Sequence, residues 1–169
     1  MDVRFLSAHE FDKVYFYCWI TGAVLLAIVV LILSRIGQEP VRDLLLVSGL
    51  VSPLVVRFVI ELRRLLRSGP AFIHQDQLFI VKGDSRRQVA LSSIHSAKSS
   101  HSIFMVRRYR SWSDHIAFLE ITLANGQRVG TLVDSAMFES PPGKESLAGL
   151  RAAVSAARAA SAAARTAAA

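Results

Sequence analysis

Three arginines and two aromatic residues stand together in the segment RRYRSW. Arg107, Arg108 and Arg110 could hold phosphate groups, because a guanidinium offers planar, bidentate hydrogen-bond donors. Tyr109 and Trp112 could enter a lipid–water interface, where amphipathic rings are favoured. The same residue types could also stack on single-stranded nucleic acid. A solvated turn in which Trp112 folds back onto its own domain is the alternative without a binding role.

A second basic cluster consists of Arg63, Arg64 and Arg67, directly after a long apolar stretch. An arginine close to an anionic membrane surface gains about 1 kcal/mol from the lipid charge. Setting the orientation of the apolar segments is the other role open to these residues. The two basic clusters are therefore the candidate binding residues for anionic lipid headgroups or for a partner protein.

The sequence contains no catalytic constellation. It lacks a Gly-rich phosphate loop, a G-x-S-x-G nucleophile elbow and an H-E-x-x-H motif. No two of the five histidines stand four residues apart, and Cys18 is the single cysteine. The sequence therefore favours a binding protein with no catalytic residues, no metal site and no cofactor over an enzyme.

The longest apolar stretch, residues 14–34, contains no charge in 21 residues and lies between Lys13 and Arg35. As a helix it would be ~31 Å long, which matches the ~30 Å hydrocarbon core of a bilayer. A cleaved signal peptide would have an apolar region of only about 7–15 residues and a small-residue cleavage site. We therefore predict a retained transmembrane helix, preceded by a polar leader at 1–13.

A second apolar stretch, residues 44–62, follows a turn at 35–43 that contains Gly37 and Pro40. Its first thirteen residues carry no charge and are apolar on all sides. That pattern favours a second span over an amphipathic or buried soluble helix. The segment 63–70 is then a basic juxtamembrane linker, and it ends in Gly-Pro, which cannot continue a helix.

Small residues lie about one turn apart on both predicted spans. Such faces let two membrane helices approach closely, so they predict a tight hairpin or contact with another membrane protein. These helix-packing residues are Ser48, Gly49 and Ser52 on the second span and Gly22, Ala23 and Ala27 on the first. Glu61 stands four residues after Arg57, so these two side chains could pair on one helical face.

The distribution of basic residues predicts the orientation. Six flank the spans on the side of the two termini, whereas only Arg35 and Arg42 lie in the connecting turn. Cytoplasmic segments carry the excess of Lys and Arg, so both termini are expected in the cytoplasm of a multi-pass inner-membrane protein. The net charge of +7 favours an anionic membrane surface over nucleic acid as the partner.

From residue 71 the sequence changes to short apolar runs separated by turn residues. No long helix lies between these runs, so they predict an antiparallel sheet that is bent or closed. Asn125-Gly126 is a strong hairpin signal between the last two runs. The seven predicted strands are residues 71–74, 77–82, 87–91, 94–98, 103–108, 115–123 and 127–133.

The strand at 115–123 has two faces of different character. Ala117, Leu119, Ile121 and Leu123 share the predicted core face. Glu120 is expected on the outer face, where Ile116 and Phe118 would form an exposed patch or a partner contact.

A C-terminal helix is predicted from about Glu145, with Leu147, Leu150 and Val154 as its apolar stripe. The domain then extends over 71–156, and residues 157–169 form an Ala-rich helical tail. Three arginines recur every seven residues along this helix, at 151, 158 and 165. We interpret them as a solvated basic stripe in preference to a strip against acidic lipid or a partner.

This order of elements resembles the small bacterial membrane proteins that carry a cytoplasmic PH-like domain. In that family a Pro precedes a strand, a tight turn and a second strand, as Pro70 does here. The family's aromatic-x-acidic-Ile corner reads Leu-Ser-Ser-Ile at residues 91–94, which keeps only the isoleucine. The resemblance implies an α+β membrane protein, a two-helix transmembrane hairpin followed by a seven-stranded antiparallel PH-like partly open barrel with a C-terminal helix as its cap.

The function that the sequence favours is a membrane-anchored binding or interaction module at the cytoplasmic face. Its expected partners are the membrane, anionic lipid headgroups and a membrane protein. The alternative is an accessory structural subunit of a membrane protein complex, in which the small residues of the spans form the contact.

Overall fold

The computed structural model describes residues 3, 5–38, 40–82, 85–106, 115–136 and 138–167. Within these residues the protein has an α+β architecture, in which two long apolar helices precede a β region and a third helix follows it. The elements are α1 (Ala8–Ser34), α2 (Val41–Arg67), β1 (Ala71–His74), β2 (Gln77–Lys82), β3 (Ser85–Ala90), a 3-10 turn (Leu91–Ser93), β4 (Ile94–Val106), β5 (His115–Leu123), β6 (Arg128–Ser135) and α3 (Lys144–Ala167).

The ends of α1 and α2 follow from local sequence. α1 begins before the apolar stretch because Ser7 and Glu10 form a capping box, in which the Ser7 N–H donates to the Glu10 carboxylate at 2.8 Å. α2 begins after Pro40 and continues to Arg67, so most of the predicted linker at 63–70 is helical. Residues 61–67 contain no Gly or Pro that would end the helix, and Leu65 buries its side chain completely. The basic residues at 63–67 are therefore held on a rigid element.

Both α1 and α2 are long and apolar enough to cross a membrane. In their most apolar 18-residue windows only 11% and 6% of the residues are buried within the protein. The core helix of a soluble protein would be mostly covered by the rest of its chain. Here the exposed surface of the hairpin consists largely of Phe, Trp, Ile, Leu and Val side chains, which the described residues leave uncovered.

The β region consists of two antiparallel three-stranded sheets, with strand orders β1-β2-β3 and β4-β5-β6. Tight turns join β1 to β2 and β5 to β6. Gln75 and Asp76 adopt positive φ between β1 and β2, and Gly126 has φ +78° in the Asn-Gly turn between β5 and β6. The predicted seven-stranded, partly open barrel is thus corrected to six strands in two separate sheets among the described residues.

The strand count differs because the run 94–98 and residues 103–106, the described part of the run 103–108, belong to one strand, β4. The polar residues between them contain no Gly or Pro, and pairing with β5 continues through His101, opposite Ala117. Beyond that point the register shifts, at a bulge or irregularity before Val106. The polar residues interrupt the hydrophobic pattern of the sequence, but the backbone continues through them as one strand.

The first hydrophobic core, the domain core, lies where the two sheets and α3 meet. It contains the predicted core face of β5 and the first two residues of the α3 stripe, Leu147 and Leu150. Val154, the third residue of that stripe, is partly buried against the same core. Among its largest completely buried side chains are Leu78, Leu91, Ile94, Leu119 and Ile121.

A second core, the junction core, joins the opposite face of β5 to the two apolar helices. Ile116 and Phe118, expected as an exposed patch or partner contact, are buried here against the hairpin. The buried residues of the junction core are Leu6, Phe11, Val14, Cys18, Phe58, Leu65, Ile116, Phe118 and Leu132. The hairpin therefore packs directly against the sheet.

The edge of β6 is also covered by residues that flank the apolar helices. The Leu6 N–H donates to the Leu132 carbonyl at 3.2 Å, and Phe5 forms an isolated bridge with Val133. At the other end of the strand, Gly69 donates to the Gly130 carbonyl at 3.2 Å. These contacts occupy backbone groups that an exposed edge strand would offer to another chain.

Candidate functional site

The first predicted cluster, Arg107, Arg108, Tyr109, Arg110 and Trp112, lies outside the described residues. Its role as a lipid-contacting or partner-contacting loop stays a prediction.

The second predicted cluster lies on the last turns of α2, where Arg63, Arg64 and Arg67 are all exposed. Arg64 and Arg67 line a cleft of about 360 Å³ together with Arg128 of β6, whereas Arg63 is not among its lining residues. We call this feature the arginine cleft and define it by Arg64, Arg67 and Arg128. Sequence reasoning did not find Arg128, which stands more than sixty positions from the other two.

Small residues let α2 approach the sheet closely at the arginine cleft. A Cβ on Gly130 would lie 2.7 Å from the Ser68 Oγ, so a larger residue would push the end of α2 away from β6. The Ser68 hydroxyl donates to the Arg64 carbonyl at 2.8 Å, and the Arg64 Nη1 donates to the Ser100 Oγ at 3.3 Å. The cleft is therefore built from three elements held at short range.

The charge of the arginine cleft is unbalanced. Its lining contains three arginines and one acid, Glu120, which leaves a formal charge of +2. Glu120 pairs with Arg128 at 3.2 Å, but both side chains are exposed, at 51% and 74%. Exposed pairs of this kind contribute little, because water and salt screen them. The site therefore offers guanidinium donors to an anion, and Glu120 is its only competing acid among the described lining residues.

A buried carboxylate fixes α2 to the sheet beside this cleft. Glu61 has an exposed fraction of 0% and accepts hydrogen bonds from the Ser102 Oγ at 2.9 Å and from the backbone N–H groups of Ile103 and Phe104 at about 3.0 Å. The Arg57 Nε donates to it at 2.9 Å, which confirms the predicted pairing of these two residues. We call this arrangement the Glu61 clamp.

The Glu61 clamp is strong for two reasons. Its carboxylate receives charge-assisted hydrogen bonds from backbone, hydroxyl and guanidinium donors at once. Arg57 also reaches the sheet directly, since its Nη2 donates to the His101 carbonyl at 3.2 Å. The clamp therefore sets the position of β4, which carries Ser100, relative to the α2 arginines.

His115, at the start of β5, is half-buried, and its Nδ1 is buried without a hydrogen-bond partner among the described residues. Burial lowers the pKa of His115 below its ordinary value of 6.5, and the charge of nearby His101 lowers it further. The negative charge of Glu61 acts in the opposite direction. The folded protein therefore favours the neutral form of His115.

This pKa shift predicts a loss of stability in mild acid. The unfolded chain takes up a proton near pH 6.5, whereas folded His115 resists it, so stability is complete above about pH 6.5 and falls as the pH drops below that value. His115→Gln should flatten this part of the profile. Thermal unfolding midpoints at pH 7.5 and 5.5 measure it, with the exposed His95→Gln as control. An unchanged profile in His115→Gln would contradict the assignment.

Some small residues of α1 and α2 face the other helix, and the rest face outward. Gly22 faces α2, where a Cβ would lie 3.2 Å from the Phe58 ring, and Ser48 is half-buried. Gly49 has open space around it. The remaining small residues, Ser52, Ala23 and Ala27, are exposed. The contact between α1 and α2 thus places Gly22 against a phenylalanine, and the outward small residues do not take part in it.

Two arginines of α3 have partners on the sheet. Arg151 Nη2 donates to the Ala97 carbonyl at 3.3 Å, and Arg158 Nη2 donates to the Ile94 carbonyl. Both acceptors lie on β4, so α3 is hydrogen-bonded to that strand. Both arginines are exposed, as expected for a solvated stripe, and the structure adds these contacts with the sheet.

The described residues contain no group of three His, Cys, Asp or Glu side chains that could hold a metal ion. No protein-family model matches the sequence, and neither the curated proteins nor the solved structures contain a significant match. The function is therefore argued from the geometry of the arginine cleft and of the elements that position it.

Proposed function

We propose that this protein is anchored in a bilayer by α1 and α2 and holds its β region at the membrane surface as a module that contacts anionic lipid. One observation carries the proposal. Three exposed arginines follow the exposed apolar surface of α2 directly, on a helix whose position relative to the sheet is set by the Glu61 clamp. A basic surface is thus fixed at one end of the apolar hairpin.

The spacing along α2 supports contact with headgroups. Ile60 is the last exposed apolar residue before the arginines. Arg64 and Arg67 follow it by ~6 Å and ~10 Å of helix, while the polar layer on each side of a bilayer is about 5–8 Å thick. With Ile60 at the edge of the hydrocarbon, both guanidinium groups lie within reach of lipid phosphates.

The orientation and the fold type are parts of the same proposal. Basic residues are concentrated at the end of the hairpin that carries the β region, which supports a cytoplasmic location for both termini. Two antiparallel sheets around one core, with a C-terminal helix packed on them, support a PH-like arrangement. Because one fold serves many functions, lipid contact is argued from the arginines and not from the fold.

The proposal predicts that anionic lipid stabilises the protein through the α2 arginines. In nanodiscs, replacing part of the phosphatidylcholine by phosphatidylglycerol should raise the unfolding midpoint of the full chain. The variant Arg63→Gln/Arg64→Gln/Arg67→Gln should lose most of this gain, up to about 3 kcal/mol at roughly 1 kcal/mol per arginine. Near-ultraviolet circular dichroism during heating measures the midpoint.

The matched control removes the same charge elsewhere. Arg86, Lys144 and Arg165 are exposed and lie outside α2, so their simultaneous replacement by glutamine should leave the effect of phosphatidylglycerol intact. An equal loss in both triple variants would mean that net charge alone acts, and no gain in the parent protein would end the proposal.

A role as accessory subunit of a membrane complex is the second candidate. It is favoured by the outward small residues, above all Gly49, which is surrounded by open space on an apolar helix. Purification in mild detergent separates the two candidates. A chain that is recovered alone and monomeric counts against the accessory role and leaves lipid contact in place.

A further inference from the structure

We propose that the arginine cleft is a binding site for a phosphate monoester, carried either by a lipid headgroup or by a small soluble molecule. This inference rests on the proposed function, which places the cleft at the membrane surface. It goes further in naming the ligand chemistry, the residues that bind it and a side chain, Glu120, that competes with it.

The three arginines have N–H donors that no described residue uses. Among the described residues Arg67 has no hydrogen-bond or ion-pair partner. Arg64 uses Nη1 for a long contact of 3.3 Å to Ser100, and Glu120 is the single partner of Arg128 within the described part of the chain. Each guanidinium carries five N–H donors in a planar fork, so most of the donors at this site face the cleft or solvent.

The formal charge of the cleft favours a monoester over a diester. Its lining carries three positive charges and one negative charge. A phosphate monoester has a second pKa near 6 and carries about −1.5 to −2 at neutral pH, whereas a diester carries a single negative charge. The monoester also presents three terminal oxygens, which suits bidentate contacts from more than one arginine.

The shape of the cleft is compatible with such a ligand. About 360 Å³ is enclosed between the end of α2 and the β5–β6 hairpin. This volume is at the lower end of the ~300–1,000 Å³ typical of small-molecule sites. Ser68 and Ser100 contribute hydroxyl groups to the lining, which also includes Gly130.

Glu120 gives the proposal a test by gain of binding. Its carboxylate pairs with Arg128 and places a negative charge in the cleft. Glu120→Gln should therefore strengthen the binding of any phosphate ester, and the doubly charged monoester should gain most, because the Coulomb energy scales with the charge of the ligand. A misfolded variant would not gain affinity, so this result cannot arise from damage to the protein.

The experiment compares two lipids in nanodiscs that contain the full chain. Phosphatidic acid, a monoester, and phosphatidylglycerol, a diester, are matched for total surface charge in phosphatidylcholine. Native mass spectrometry of the released protein then counts the retained lipids. We expect the parent protein to retain phosphatidic acid in preference to phosphatidylglycerol. This preference should fall roughly tenfold in Arg67→Gln and in Arg128→Gln, because each variant loses a charge-assisted hydrogen bond of ordinary strength.

Arg63→Gln is the matched control, since Arg63 is exposed on the same turns of α2 but does not line the cleft. It should keep the preference for phosphatidic acid. Equal losses in Arg63→Gln and Arg128→Gln would overturn the site, as would a Glu120→Gln variant that retains no more lipid than the parent protein.

Two further outcomes separate this inference from the proposed function. If both anionic lipids are retained above phosphatidylcholine and to the same degree, the protein contacts anionic membrane but the monoester site is wrong. If neither is retained, lipid contact fails, and the monoester site then depends on binding of a soluble ester. The source of the ligand follows from a second arm, in which glycerol 3-phosphate is added to nanodiscs of phosphatidylcholine alone. If glycerol 3-phosphate raises the unfolding midpoint of the parent protein but not that of Arg128→Gln, the ligand is a soluble ester. If it does not change the midpoint while phosphatidic acid is still retained, the ligand is the lipid.

Discussion

Replacing Glu61 by alanine is expected to lower the free energy of unfolding of the β region by about 3–5 kcal/mol, the usual effect of breaking a buried, hydrogen-bonded ion pair. The substitution leaves the hydroxyl of Ser102 and the N–H groups of Ile103 and Phe104 without their acceptor in a water-poor site. Arg57 loses its partner at the same time. Urea unfolding of the full chain in detergent micelles, followed by circular dichroism, measures the change.

Two further variants define the cause. Glu61→Gln keeps the shape of the side chain but turns one acceptor oxygen into a donor, so an intermediate loss of about 1–3 kcal/mol is expected. Glu145→Gln removes a charge from an exposed position and should stay within about 0.5 kcal/mol of the parent protein. Hydrogen exchange at the amides of Ile103 and Phe104 should accelerate in both Glu61 variants. Unchanged exchange there would show that the clamp does not exist in solution.

Truncating Phe118 to alanine should cost about 3–5 kcal/mol, as for other large aromatic side chains removed from a packed core. Phe118 is only 5% exposed in the junction core, where Phe58 and Leu132 are also buried. The lost contacts belong to the interface between the sheet and the hairpin, so limited proteolysis should also cut the segment after α2 more readily. Urea unfolding in micelles measures the energy.

The same substitution at Phe138 provides the control. This phenylalanine is 86% exposed, and its replacement should change stability by less than about 0.5 kcal/mol. Similar values for Phe118→Ala and Phe138→Ala would mean that the sheet does not pack on the apolar helices.

The course of the chain was largely predictable from hydrophobic patterns, because those patterns are local. The uncharged stretches predicted α1 and α2, and the Asn-Gly pair predicted the β5–β6 hairpin. The alternation at Ala117 and Leu119 indicated one core face of β5. The other face could not be assigned, since Phe118 is covered by Phe11 and Phe58, which lie far away in the sequence. A period-two pattern shows that a residue is apolar but not what covers it.

The candidate site was predictable only in part. Counting charges after an apolar stretch finds Arg64 and Arg67, but Arg128 joins them through the close approach of Ser68 to Gly130. Three partners of Glu61 are a serine hydroxyl and two backbone N–H groups of β4, and backbone donors leave no trace in a sequence pattern. The one available signal was an acid at the end of an apolar helix, which we matched only with Arg57.

The junction core has a consequence for the maturation of the newly made protein. Residues from the start of α1, from the end of α2 and from β5 and β6 complete it together. The strands are synthesised after both helices, so the second face of their sheet is covered only once α1 and α2 lie side by side. In the proposed membrane-anchored arrangement, insertion into the bilayer and completion of the fold would be one coupled process. A chain that fails to insert would then expose an apolar sheet face, the kind of surface that chaperones and proteases bind.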